Sequence, residues 1–308
     1  TYIYVTVTFF YLIVFVFGVI GNIIVIYVIC ALKDMRTPTN IFLLNLCFAD
    51  LLVIIVCMPS SLVEFHTHDV WYLGSFMCKL TPFLEHSVSH TSSLTILAIS
   101  FERYYAICSP LEVLYSCTKR RSLIIISVVW VCGLASALPM IFFTFTVEAA
   151  HSMYGDVDIC VTPIEGVLRI SYVLSTISAF FIIPCAILVV LYAMICRRLI
   201  GDANPDQQRS PMPLAHNPRA QHTRRQIIYM LITIIILFFV CLLPFRVVTL
   251  WAIFSDKSEQ AELGLEGTLN LFSFARVMFY LNSAGNPILY NIMSTKFREA
   301  CRRALSCC

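Results

Sequence analysis

The sequence predicts an all-α membrane protein: a seven-transmembrane helix bundle followed by a short amphipathic eighth helix. Three observations predict it. Of 308 residues, 59% are hydrophobic and only 13% are charged, against about 45–50% and about 25% in soluble domains. The apolar residues are gathered into long blocks. Seven of those blocks reach the roughly 20 residues that cross a bilayer. A chain of this composition would precipitate as a soluble monomer, and it is too apolar to be disordered. Its net charge of +3 is too small to suggest a nucleic-acid partner.

The blocks lie at about 3–32, 39–65, 75–108, 119–143, 166–198, 222–254 and 266–291. Each is too long for a strand and holds few charges. Blocks longer than the bilayer must tilt or project beyond it. Thr1 opens almost directly on block one with no initiator Met, as in a trimmed chain from which a signal sequence could have been lost. The bundle is assigned to 1–293. Its inner link 199–221 carries Pro205, Pro211, Pro213 and Pro218 among polar residues and reads as disordered. Segment 294–308 reads as an amphipathic helix and a Cys-rich tail. Phe297 and Leu305 are expected to face lipid, and Lys296, Arg298, Arg302 and Arg303 to face water. Cys301, Cys307 and Cys308 are candidates for palmitoylation, against a frayed tail with free thiols.

Orientation follows from the basic residues. The links at 33–38, 103–121 and 196–225 and the tail 292–308 hold 16 of the 21 Lys and Arg. Eleven of the 18 acids lie in the opposite half. The basic side is therefore expected in the cytoplasm, with the N-terminus outside. Most of the 14 cysteines fall within spans or at the inner end. Cys78 and Cys160 are the pair on the oxidising face, so one disulfide between them is the economical reading.

An ionisable residue inside a span is costly and marks function by default. Asp50 lies midway along block two, with Asn22, Ser92, Asn282, Ser283 and Asn286 at similar depth. Asn282 and Asn286 share a helix face at i,i+4 spacing. Such oxygens with one carboxylate suit a sodium ion with water, or a hydrogen-bond cluster that holds helices together. Glu102-Arg103-Tyr104 lies at the inner end of block three, where Arg103 can pair with Glu102 or reach a partner across the cytoplasmic mouth, against a pair that only snorkels at the membrane edge. Glu85 precedes Arg103 by five turns of one helix, so the two share a face about 27 Å apart. That spacing suits a protein that senses on one side and reports on the other. Arg246 and Arg276 share the outer half of the bundle with Glu85. The three either pair with one another or wait for a charged ligand, and both signs in one pocket fit a peptide better than a lipid. Prolines 59, 139, 184, 244 and 287 interrupt spans, and a kink at Pro244 would make block six a lever.

These residues occur in a recognisable order. Gly21-Asn22, Leu46-Cys-Phe-Ala-Asp50, Glu102-Arg103-Tyr104, Trp130, Pro184 with Tyr192, Phe238-Phe-Val-Cys241-Leu-Leu-Pro244, and Asn286-Pro287-Ile-Leu-Tyr290 resemble the rhodopsin-like (class A) G-protein-coupled receptors. The resemblance covers essentially the whole chain. It implies a sodium site at Asp50, Ser92, Asn282 and Asn286, and a G-protein contact at Arg103. It also implies tyrosines that rearrange on activation at Tyr192 and Tyr290, and the outer disulfide Cys78–Cys160. Phe238, Leu242, Pro244 and Pro287 join Glu102 and Tyr104 as the implied switch positions. Within the family the chain resembles neuropeptide receptors. The run from Cys78 to Cys108, with Cys57–Glu64 and Cys117–Lys119, is most similar to ecdysis-triggering-hormone receptors. Thyrotropin-releasing-hormone and ghrelin receptors come next.

The resemblance implies an amidated peptide ligand, some carrying Pro-Arg-X-amide, and a heterotrimeric G protein of Gq type acting on phospholipase C and calcium. It implies arrestin and receptor kinase as further partners and the plasma membrane as location. Glu85 is expected to accept a cationic group, and Arg246 and Arg276 to donate to carbonyls or a carboxylate. Glu64, Phe245, Phe279 and Tyr280 complete the expected wall. Leu242 departs from the family's usual Trp, losing a large ring and its N–H; an orphan receptor with high basal activity is the reading this motivates. Glu102 replaces the commoner Asp and keeps the charge, and the chain carries no Asn-x-Ser/Thr sequon. An amine receptor is disfavoured because Glu85 stands where those receptors carry Asp. A transporter or pump would need a second midplane carboxylate, and a retinal protein a Lys in block seven; neither is present. No metal-spaced His/Cys/Asp set or Gly-rich phosphate loop suggests an enzyme. No cofactor is expected beyond an allosteric Na+ at Asp50.

Overall fold

Hydrocarbon offers no hydrogen bonds to a backbone, so a chain that crosses it must satisfy its amides within each segment, as helices do. The computed structural model of the protein describes residues 2–108, 118–151, 155–201, 218–256 and 262–306. Among these, seven long helices form one bundle. They are α1 (Tyr2–Ala31), α2 (Pro38–His66), α3 (Gly74–Cys108), α4 (Lys119–Phe143), α5 (Val167–Ile177 continuing as Ile183–Gly201), α6 (Pro218–Phe254) and α7 (Gly264–Met293). A short helix, α8 (Thr295–Ser306), follows at the end of the bundle that carries Arg103.

Local chemistry sets the boundaries. Thr37 caps α2 by accepting from the Asn40 amide at 3.3 Å, and Pro38 occupies the first turn, where its missing N–H costs nothing. Thr118 caps α4 in the same way through the Arg121 amide. The prolines act in two ways. Pro59 and Pro184 each follow a π turn, Val53–Cys57 in α2 and Ser178–Ile182 in α5. Such local widening re-accommodates the backbone groups a proline frees. Pro139 divides α4 at Leu138, whereas Pro82, Pro244 and Pro287 lie inside continuous helices.

Five of the seven helices are apolar enough by length and composition to cross a membrane; α3 and α7 fall short of that standard. The reason is position. These two carry buried polar residues, including Ser87, Ser89, His90, Thr91, Ser92 and Ser93 on α3 and Asn282, Ser283 and Asn286 on α7. Large apolar residues exposed on the outside of the bundle include Phe9, Phe17, Val131 and Val189, and on α7 itself Phe274 and Ile292.

Between α4 and α5, strands β1 (Phe145–His151) and β2 (Gly155–Val161) pair antiparallel, with Thr146 opposite Cys160 and Glu148 opposite Asp158. The sequence reading treated this stretch only as a loop. Its alternation from Val147 to Ala149 and from Val157 to Ile159 is the signal that was available. The hairpin is fixed at the α3 start by the Cys78–Cys160 disulfide, and the Trp71 amide donates to the Asp158 carbonyl at 2.7 Å.

Two further differences from the sequence reading concern the opposite end. Helix α5 runs to Gly201 and α6 begins at Pro218, so helical structure enters both margins of the 199–221 link; 202–217 lies outside the described residues. Phe297 does not face lipid. It is buried against Tyr290, ring centroids 6.4 Å apart, with Ala300 and Ala304 beside it. The apolar face of α8 is therefore spent on the bundle. Arg303 completes the attachment with an ion pair to Asp34 at 2.9 Å, and that hydrogen bond holds the Asp34 carboxyl below its ordinary range. Cys307 and Cys308 fall outside the described residues.

Helices α3 and α4 pack tightly at Gly133. A Cβ there would collide with the Thr91 side chain and come within 3.0 Å of the Ser87 carbonyl. Gly133→Val is expected to destabilise the bundle by about 1–3 kcal/mol, the usual cost of overpacking. Thermal unfolding of the purified protein in detergent measures this, and an unchanged midpoint would show that the helices separate there freely.

Candidate functional site

The charges inside the spans are distributed over three levels. At the disulfide end, Glu85 lies seven residues after Cys78 on α3, Arg246 two residues after Pro244 on α6, and Arg276 on α7. The hydroxyl of Tyr280 donates to Glu85 Oε1 at 2.7 Å. Arg276 pairs with Glu64 Oε2 at 3.4 Å and donates to the Ser61 hydroxyl, which also lies 3.2 Å from the Tyr11 hydroxyl. Arg246 donates from Nη2 to Ser89 Oγ at 3.0 Å. The alternatives left open by the sequence thus resolve in a mixed way. Arg276 takes its acid from Glu64, and Glu85 is held by a phenol.

Arg246 is different from Arg276. It is only 5% exposed, its Nε lacks a hydrogen-bond partner, and no carboxylate pairs with it among the described residues. An arginine buried with so little compensation is expensive. It lines a small cavity, with room for about one water-sized group, together with Glu85, His86, Ser89, Phe245 and Phe279. Phe245 and Phe279 lie with ring centroids 5.5 Å apart. Pockets for drug-sized ligands run roughly 300–1,000 Å³, so this cavity must widen before it can admit a ligand group.

Ser61, Tyr11, Ser89, His86 and His90 were missed by sequence reasoning. His86 and His90 were legible, being ionisable residues inside a span at i,i+4 spacing. His90 stacks on Phe180, centroids 3.9 Å apart and planes 12° from parallel, and lies 2.9 Å from Ser136 Oγ through Nδ1. Tyr11 and Ser61 carried no signal, because a Tyr and a Ser on separate helices meet only through the fold.

At the middle level Asp50 is 1% exposed and accepts from Asn286 Nδ2 at 3.0 Å. Asn22 donates to the Ser283 and Gly18 carbonyls at 3.0 and 2.8 Å. Ser92, Asn282 and Ser283 are buried at this depth too. Asn22 Oδ1, Asn282 Oδ1, Ser92 Oγ and Tyr290 OH are buried without a protein hydrogen-bond partner. One carboxylate among unsatisfied oxygens fits a hard monovalent cation with water. Nearby, Trp130 Nε1 donates to Asn45 Oδ1 at 2.7 Å, tying α4 to α2.

At the far end Arg103 pairs with Glu102 at 2.8 Å. Thr39 of α2 donates to Glu102 Oε2 at 3.0 Å and accepts from Arg103. Ser100 donates to the Tyr192 hydroxyl at 3.4 Å, and a small apolar cavity beside them is lined by Ile96, Ile99, Leu231 and Ile234. Tyr104 is half-buried beside Tyr105, while Phe238, Leu242 and Tyr290 are buried in the common core. Leu242 fills its position by packing alone.

Residues 21–290 match the family described as 7 transmembrane receptor (rhodopsin family). The chain is 35% identical to the growth hormone secretagogue receptor type 1 of Homo sapiens, covering 94% of this chain and 78% of that protein. It is 34% identical to a QRFP-like peptide receptor of Branchiostoma floridae, covering 97% and 77%. Identity to the thyrotropin-releasing hormone receptor of Gallus gallus is 30%, covering 94% and 76%.

Removing the phenolic hydroxyl in Tyr280→Phe takes a donor from a half-buried carboxylate. It is expected to cost about 1.5 kcal/mol of stability. In Glu85→Gln the same substitution should cost markedly less. A double-mutant cycle on thermal unfolding measures the coupling, and strict additivity would dissolve the Tyr280–Glu85 bond.

Proposed function

The chain belongs to the seven-transmembrane receptor (rhodopsin) family, whose members are receptors rather than enzymes, and we propose that it binds an extracellular amidated neuropeptide and activates heterotrimeric G proteins. The observation that carries the ligand reading is Arg246, buried with an unpartnered Nε and sharing a small cavity with Glu85. A carboxylate entering that cavity meets Arg246 favourably and Glu85 unfavourably. An ammonium group meets the reverse. A primary carboxamide accepts from the arginine through its oxygen and donates to Glu85 through its NH2. The cavity has room for about one water-sized group and must widen to admit the carboxamide. Arg276, Glu64, Tyr280, Phe245 and Phe279 form the wall around the preceding residues of the peptide.

The disulfide end faces outward with the N-terminus, and the basic end faces the cytoplasm of a plasma-membrane protein. Peptide binding shifts the population only by favouring the active arrangement over the resting one. In that arrangement α5 and α6 separate at the inner face, with Pro244 as the joint, and Arg103 leaves Glu102 to receive the G protein. Tyr104, Tyr192, Phe238, Leu242, Pro287 and Tyr290 repack as the helices move. The G protein is of Gq type, signalling through phospholipase C and calcium; arrestin and a receptor kinase follow. Cys301, Cys307 and Cys308 are palmitoylation sites. Asp50, Asn22, Ser92, Asn282, Ser283 and Asn286 hold an allosteric sodium ion, which neutralises the buried carboxylate in the resting state. A second reading, an orphan receptor with high basal activity, is favoured by Leu242 alone.

Calcium mobilisation in cells expressing the full-length receptor tests the ligand reading. C-terminally amidated peptides, Pro-Arg-X-amides among them, are expected to act where their free-acid twins fail. Equal potency of the two forms, or silence to all, would overturn it. Against an active peptide, Glu85→Gln and Arg276→Ala should each weaken potency at least tenfold at unchanged surface expression, about 1.4 kcal/mol of binding. Asp50→Asn should abolish the effect of sodium on agonist affinity; a retained sodium effect would remove the ion from this site.

A further inference from the structure

Among the described residues, the side chain of Gln226 hydrogen-bonds the inner end of α6 to the rest of the bundle. Gln226 Nε2 donates to the Met293 carbonyl at 2.7 Å, and Gln226 Oε1 accepts from Thr295 Oγ1 at 3.3 Å. Met293 is the last residue of α7, where carbonyls lack partners within the helix. Thr295 opens α8. Both halves of a single carboxamide are therefore spent on the corner where α7 turns into α8. Arg103 provides no comparable tie. Its hydrogen bonds among the described residues run to Glu102 and Thr39, on α3 and α2.

Geometry makes this contact sensitive to any swing of α6. Gln226 and Pro244 are five turns apart on one helix, and so about 27 Å apart on the same face. Pro244 lacks the N–H that would brace the helix interior there. A rotation of about 2° about that joint carries Gln226 roughly 0.9 Å. That lengthens a 2.7 Å hydrogen bond past the limit of useful interaction. The apolar packing of Ile228, Leu231 and Ile234 is also present at this end, but it is non-directional and weakens gradually.

We propose that Gln226 is an autoinhibitory latch: its carboxamide holds α6 closed against the α7–α8 corner, and release of both hydrogen bonds accompanies activation. The inference rests on the G-protein receptor reading above for its signalling consequence, not for the contact itself. Gln226→Ala removes both bonds. Gln226→Glu keeps the length and the acceptor but loses the donor to Met293. Thr295→Val removes the second bond from a different element.

The test pairs two readouts. The first is inositol phosphate accumulation in cells without ligand, normalised to surface expression. Gln226→Ala and Gln226→Glu should raise it at least threefold, and Thr295→Val by less. The second does not involve a G protein. Keto amino acids at exposed Tyr229 and Arg302 carry spin labels, leaving the native cysteines untouched, and pulsed dipolar spectroscopy reads the α6–α8 distance. The latch variants should shift that distribution to longer values. An unchanged distribution overturns the latch whatever the signalling does. A lengthened distribution with wild-type basal signalling upholds the latch and tells against the G-protein reading instead. Should Gln226→Ala fail to reach the surface, Thr295→Val carries the same comparison.

Discussion

A bilayer interior returns no hydrogen bonds to a charge, and this constraint organises the whole molecule. Every ionisable group within the spans must turn inward and find a partner there. Glu85 finds Tyr280, Arg276 finds Glu64, and Asp50 finds Asn286. Helices α3 and α7 supply most of these partners. They carry many of the buried polar residues and fall short of the membrane-span standard that the other five meet. Asp50 and Glu64 lie on α2 and Arg246 on α6, while the outward faces of α1, α4 and α5 expose Phe, Val and Ile.

Arg246 is the exception that the constraint makes conspicuous. Among the described residues its cost is offset by a hydrogen bond to Ser89 and by the neighbouring ring of Phe245. A group supplied from outside would complete its hydrogen bonds and gain the difference. The same logic at Asp50 concerns several oxygens at once, which is why a cation suits that level and a peptide terminus suits the one above it. Helix α3 joins the levels as a continuous 35-residue rod, with Glu85 near one end and Arg103 near the other. Helix α6 is the jointed element beside it.

Much of this was legible in the sequence, because hydrophobic blocks and the rarity of charge are one-dimensional signals. The spans, Asp50, Glu85, Arg246 and Arg276 stood out as polar interruptions of apolar runs. What remained hidden depends on which helices meet. Ser61 and Tyr11 approach Arg276 from two other helices, and neither residue is unusual in its own run. Phe297 has the periodicity of a lipid-facing residue, yet Tyr290 is where it packs. Glu64 was placed in the wall, but its role as the partner of Arg276 required the approach of α2 to α7. The hairpin at 145–161 was overlooked because its strands are short and lie within a loop between two long apolar blocks.

The central claim is that a peptide terminus at Arg246 and Glu85 controls the state of Arg103 at the other end of α3. The most direct measurement is a cryo-EM structure of the receptor bound to an activating peptide and a G-protein heterotrimer. The account predicts the peptide's carboxamide between Arg246 and Glu85, Arg103 separated from Glu102 and facing the G protein, and α6 displaced from the α7–α8 corner. A peptide seated only on the outer hairpin, or an Arg103–Glu102 pair intact against an engaged G protein, would contradict it.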